Sequence, residues 1–160
     1  MTPAPPPADA LRPEGAGSTD LRMWLHLLSC AKIGEKRLRR NFEEQFGTTL
    51  PRFDVMAALY RAPDGLKMGA LSRALLVSNG NVTSIVRQLQ EQRLVRSVTD
   101  PQDTRSAIVS LTKHGKERFK VLAEAHHRWI ADAFEGLPPA RMAMLVDLLA
   151  ELKSTLSRNG

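Results

Sequence analysis

A single cysteine, Cys30, stands in 160 residues, so no intramolecular disulfide framework braces the fold, and a reducing compartment such as the cytoplasm suits it. No apolar run approaches the roughly 20 residues needed to span a bilayer, and the N-terminus lacks the basic start and apolar core of a signal peptide. A cytoplasmic protein that makes no use of membranes is expected. The chain has no glycine-rich phosphate loop, nucleophile elbow or paired-carboxylate arrangement, which argues against an enzyme. His26, His114, His126 and His127 make no convincing ligand set, since His126 and His127 are adjacent and point to different faces of a helix; neither a metal nor a cofactor is expected. Acids are the minority charge: 17 Asp and Glu against 23 Lys and Arg leave a net +6 and a pI near 10.0, which favours polyanionic partners.

What the chain does have is a strongly ordered pattern of apolar residues, 42% of the total and enough for a core. Five of the ten prolines fall in the first 13 residues, so residues 1–18 read as a disordered tail without assigned function. Residues 19–48 read as an N-terminal helix, with Leu21, Trp24, Leu25, Leu28, Leu38, Phe42 and Phe46 recurring at helical spacing and Gly47 as its C-cap. Pro51 opens a second helix through Tyr60, and Pro63-Asp-Gly65 forms a turn. A helix from about Lys113 to Phe134 carries Phe119, Leu122, Ala123, His126, Trp129, Ile130 and Ala133 on one face. Gly136-Leu-Pro-Pro139 breaks it, and a last helix repeats Met142, Leu145, Val146, Leu149, Leu152 and Leu156, a stripe wanting a partner.

Residues 49–112 between these helices carry the functional signal. Ala70, Leu71, Ala74 and Leu75 share one side of a short helix. Ser78 can cap the next helix, along which Val82, Ile85, Val86 and Leu89 recur at i, i+3, i+4 and i+7. At 100° per residue, Asn81, Ser84, Arg87 and Gln88 then fall on the outer side, all able to bond base edges or phosphates. Two β-type runs, Leu94–Thr99 and Ser106–Leu111, follow around the polar turn Asp100–Arg105. From Arg87 to Lys120, eight Lys and Arg stand against four acids. The expected fold is mainly α with a small β wing: a winged helix-turn-helix (residues 49–112) plus flanking helices at 19–48 and 113–160 whose apolar faces want a partner.

The ordered set Val77-Ser78, Val82-Thr83, Val86, Leu89, Leu94-Val95, Asp100-Pro101, Asp103, Arg105 and Leu111-Thr112-x-x-Gly115 resembles the signature of MarR-type transcription regulators. Gly80, in the first turn of the recognition helix, departs from it and lowers helix propensity by ~1 kcal/mol. The resemblance implies a homodimer on double-stranded DNA, with residues 19–48 and 113–160 as dimerisation helices, and a small-molecule effector. The DNA-binding candidates are Ser78, Asn79, Asn81, Thr83, Ser84, Arg87, Gln88, Asp103 and Arg105, with Arg105 at the wing tip suited to a narrow minor groove and Asp103 orienting it or bridging to the wing backbone. Two recognition helices about one helical turn apart, ~34–36 Å, would read a palindrome.

Effectors of this family lie near the first two helices. Here that region holds Trp24, Cys30, Lys36, Arg37, Arg40, Arg52, Phe53, Met56 and Tyr60, apolar walls with basic groups close by, which suit an aromatic carboxylate or a thioester with a phosphate-bearing tail. Glu35–Ala57 also looks similar to regulators of hydroxycinnamate catabolism, whose effector is an aromatic acyl-CoA thioester. The basic run Lys32–Arg40 reads equally as a solvated helix face, and Cys30 as packing rather than an oxidation sensor. The function that follows is a ligand-responsive dimeric repressor of aromatic catabolism released by an anionic aromatic effector. A winged-helix protein-interaction module and an effector-independent architectural DNA-binding protein are the alternatives; the polar outer face of the recognition helix favours DNA.

Overall fold

A computed structural model of the chain describes residues 18–75 and 79–159. Two compact units, Met1–Leu50 and Pro51–Gly160, divide it. In the first, α1 (Thr19–Phe46) starts two residues ahead of the apolar pattern because Ser18 caps it, its hydroxyl accepting the Leu21 N–H at 3.3 Å. Gly47 closes the helix at φ 58°, and its N–H donates to the Glu43 carbonyl. Along α1, Met23, Trp24, Leu25 and Ile33 are exposed apolar residues. Of the basic run, Arg39 is bound to Glu35 one turn earlier, at 2.5 Å, on an open face.

The second unit contains the winged helix and everything after it. Helix α2 (Leu50–Tyr60) is followed by a two-residue strand, β1 (Leu66–Lys67), then α3 (Met68–Leu75) and α4 (Asn79–Glu91). Strands β2 (Val95–Asp100) and β3 (Asp103–Leu111) form the wing hairpin, and α5 (Lys113–Ala133) and α6 (Pro139–Asn159) complete the chain. The helix, helix, wing order stands where the apolar spacing placed it, and Val82, Val86 and Leu89 are buried with Leu71, Val95, Val109 and Leu111. Two details differ. The sheet has three strands, order β1-β3-β2, because Leu66 and Lys67 pair with Val109 and Ile108. The hairpin strands also run further than their apolar runs, to an Asp100–Asp103 pair beyond a bulge at Thr99/Asp100. The expected six-residue turn is thereby closed to Pro101-Gln102 between paired residues.

Gly65 has φ +86°, and a Cβ there would sit 2.6 Å from the Val109 carbonyl oxygen, so the entry to β1 requires glycine. The Leu-Thr-x-x-Gly spacing finds its cause at the start of α5. The Thr112 hydroxyl accepts the Gly115 N–H at 2.9 Å as N-cap and lies 2.8 Å from the Arg93 carbonyl, to which it donates. Gly115 is buried so tightly against Leu94 that a Cβ would overlap the Leu94 carbonyl oxygen. Arg93 ends the recognition helix in the left-handed region at φ 58°, and Leu94 N–H bonds back to Leu89. One threonine and one glycine thus lock the exit of α4, the start of β2 and the start of α5 together.

An aromatic cluster joins α2 to α5: Phe53 stacks on Phe119 with ring centres 5.6 Å apart and meets His126 at 4.8 Å, while Tyr60 meets Phe119 at 4.7 Å. Burial, and then the neighbouring His127 charge, pushes the His126 imidazole below its ordinary value. Helix α6 contrasts with α5. Every residue from Arg141 to Lys153 except Leu152 is exposed, including Met144 at 63% and Val146 at 60%.

Candidate nucleic-acid interface

The apolar stripe of α4 fixes which side chains remain outside. With Val82, Val86 and Leu89 inward, Asn81, Thr83, Ser84 and Arg87 are exposed along the outer face. Gly80 is exposed too, with open space where a Cβ would go. Ser78 lies outside the described residues, as does the side chain of Asn79. Gln88 departs from its expected place on the outer face. It sits on the flank toward α2, half-buried, and its carbonyl oxygen accepts both Nε–H and Nη2–H of Arg52 at 3.0 and 2.7 Å. Two residues expected at separate sites therefore hold each other, a charge-assisted tie from α2 to the recognition helix.

The wing tip is a built turn. Asp103 accepts the Arg105 backbone N–H at 3.1 Å, so it bridges to the wing backbone and leaves the Arg105 side chain exposed. The Asp100 carboxylate accepts the Gln102 N–H at 2.9 Å. Ser106 lies 3.1 Å from the Asp103 carbonyl as donor and 3.4 Å from Asp100 Oδ2. Lys67, reaching from β1, closes on Asp100 Oδ2 at 2.5 Å. Its hydrogen bond, followed by the Gln102 N–H, holds the Asp100 carboxyl below the usual carboxylate range, and the same bond raises Lys67 above the usual lysine value. Lys67 was not among the residues singled out from sequence, and Asp100 only as a turn acid of the signature. A two-residue strand shows no alternation, and Asp100 reads as an ordinary turn acid until its burial is seen.

The residues expected around an effector separate into two groups. On α1, Trp24, Cys30, Lys36, Arg37 and Arg40 are exposed. On α2, Phe53 and Met56 are core side chains rather than open walls, at 6% and 1% exposure, because α2 turns that face inward and Phe53 packs on α5. Tyr60 is exposed, and Arg52 is engaged by Gln88. Among the described residues no group of three or more His, Cys, Asp or Glu could hold a metal ion, and no helix is long and apolar enough to cross a membrane.

A helix, a second helix with a polar outer face and a three-stranded sheet whose hairpin tip exposes Arg105 define a winged helix-turn-helix. The family model described as MarR family matches residues 46–106. The solved structure of a MarR family transcriptional regulator from Silicibacter pomeroyi is 34% identical, with TM-score 0.73, over 86% of this chain and 94% of that one. The transcriptional activatory protein BadR of Rhodopseudomonas palustris is 33% identical over 105 residues, 64% of this chain and 59% of BadR, so the chain spans somewhat over half of that relative. Sco3205, a MarR family transcriptional regulator from Streptomyces coelicolor solved in complex with DNA, has the same fold, with TM-score 0.76 at 20% identity over 91% of this chain and 92% of that one. The chain belongs to the MarR family, whose members are transcription regulators and not enzymes.

Proposed function

We propose that this protein is a cytoplasmic, dimeric, ligand-responsive transcription regulator that binds a palindromic operator. One observation carries the DNA reading: Asn81, Ser84 and Arg87 are exposed in a row on α4 while Arg105 is exposed at the tip of a braced hairpin in the same unit. Asparagine and arginine supply bidentate readers of adenine and guanine in the major groove, and a wing arginine supplies a cation for the minor groove. The Streptomyces relative of the same fold holds DNA. The dimer reading is supported by α6, whose Leu145, Val146, Leu149 and Leu156 are exposed in a form that an isolated soluble chain rarely keeps.

Selection of duplexes from a randomised library by the purified protein tests this reading. The expected product is a sequence with two-fold symmetry and half-site centres about one turn apart, ~34–36 Å, bound with an affinity that falls steeply with salt. Recovery of no duplex, or of a single asymmetric site bound by one chain, overturns it. A reporter driven by that operator then gives the sign of regulation; repression is the expected one, against the activatory name of BadR.

The effector belongs to the same proposal: an anionic aromatic acid, or its CoA thioester such as a hydroxycinnamoyl-CoA. Its support is the exposed basic run on α1, with Lys36, Arg37 and Arg40 facing solvent. Each ordered phosphate contact of a CoA tail would contribute ~1.5–3 kcal/mol. Titration of the protein–duplex complex with benzoate, p-coumarate, their CoA thioesters and CoA alone, repeated with Arg37→Ala/Arg40→Ala, decides it. Release by a thioester, weakened in the double variant, is the expected result; no release by any of them removes the effector proposal.

A further inference from the structure

The most deeply buried charge beside the DNA face lies at the wing tip, and it is not Arg105. The Asp100 side chain is 5% exposed at the end of β2, whereas Lys67, whose ammonium meets it, is 51% exposed on β1. In the sheet order β1-β3-β2 those two strands flank β3, so the ion pair passes across the middle strand and clips the outer two together. The carboxylate sits at the hairpin bulge, where it also takes the Gln102 N–H and lies near the Ser106 hydroxyl. Ser106 reaches the Asp103 carbonyl, and Asp103 holds the Arg105 N–H. A continuous set of contacts thus runs from Lys67 to the residue proposed to enter the minor groove.

A carboxylate out of water needs a partner charge. Without Lys67 the tip of the wing would carry an uncovered negative charge beside a polyanion. We propose that Lys67 is a positioning residue for the wing: its ammonium fixes the Asp100-centred turn that presents Arg105 and masks a carboxylate that would otherwise repel DNA. This rests on the DNA-binding reading above. The depressed Asp100 and raised Lys67 values agree with a pair that is charged in the folded state.

The competing role for a half-exposed lysine is a direct bond to phosphate, and second-site rescue separates the two. With the duplex selected by the wild-type protein as probe, Lys67→Met is expected to weaken binding by about tenfold, and Lys67→Arg by no more than about twofold. Adding Asp100→Asn to Lys67→Met removes the exposed charge while keeping an oxygen for the Gln102 N–H. That double variant is expected to recover to within about threefold of wild type, with an unaltered salt slope. A lysine that binds phosphate would give no rescue and a salt slope reduced by about one ion; either result, or a Lys67→Met protein that binds as wild type, overturns the proposal. Amide hydrogen exchange of free protein supplies a DNA-independent reading. The Gln102 and Arg105 amides should exchange faster in Lys67→Met than in wild type, with the α4 amides unchanged. If the wild-type protein selects no duplex, the function proposed above fails, and unchanged exchange at Gln102 then removes the wing role as well.

Discussion

The segment from α3 to the wing and the helix α6 belong to one unit and expose opposite chemistries. In α4 the apolar residues Val82, Val86 and Leu89 are buried and Ile85 is half-buried, while Asn81, Thr83, Ser84 and Arg87 are among those left outside. In α6 the apolar residues are themselves outside, Leu148 at 56% and Leu156 at 59% among them. The first region is complete as a folded object and presents hydrogen-bonding groups to something polar. The second is incomplete, since apolar area left in water forfeits roughly 25 cal/mol per Å² that burial would return. On the function proposed above, the difference corresponds to two partners that composition alone cannot distinguish: a polyanion for α4 and the wing, and a second apolar surface for α6.

Four substitutions probe the two regions and the packing between them. The largest effect is expected from Leu149→Asp. In an isolated chain the change costs little because Leu149 is exposed, but in a dimer it buries an unpaired charge at a cost of several kcal/mol. Light scattering should show dissociation with helical content largely retained; a wild-type protein that is monomeric at micromolar concentration would remove α6 from any interface. Next is Gly115→Ala, whose methyl group would overlap the Leu94 carbonyl oxygen. Because backbone must move to make room, a loss of about 3 kcal/mol in urea unfolding is expected, and no loss would show that the α5–β2 junction is loose. Arg105→Ala should leave stability unchanged and weaken operator binding by ~1–3 kcal/mol; unchanged affinity takes Arg105 out of the site. The smallest effect concerns His126, whose proton affinity is lowered in the folded state chiefly by burial. Below its ordinary value of 6.5 the unfolded chain takes up protons that the folded one resists, so stability falls as pH drops from that value toward the depressed folded one. His126→Phe should flatten this part of the urea-midpoint profile against pH, and an identical slope in both proteins would contradict the assignment.

Helix α4 and its buried stripe could be read in the sequence because a 3.6-residue period over 13 residues repeats often enough to stand out. The wing turn acids were visible as turn formers, and the Asp103 bridge to the backbone follows from what an aspartate does two residues ahead of an N–H. Strand β1 was not legible: two residues carry no period, and Leu66 and Lys67 become a strand only because β3 offers an edge. For the same reason the clip between Lys67 and Asp100, 33 positions apart, could not be seen. Gln88 was misread because a flank position looks outward until its partner is known; the guanidinium of Arg52, 36 residues earlier, holds it half-buried. Phe53 and Met56 look like pocket walls in a list of apolar residues near basic ones, yet α2 uses them as core. Local patterns were readable wherever a period or a turn determined the outcome, and not where a long-range partner did.

On the function proposed above, the apolar face of α6 and the polar face of α4 serve one device, a two-fold dimer that sets two recognition helices on one duplex. Native mass spectrometry of the protein with the duplex it selects tests this most directly. The account predicts two chains per duplex for the wild type, and for Leu149→Asp a free monomer with little complex. One wild-type chain per duplex, or a Leu149→Asp protein that still binds as a pair, would contradict it.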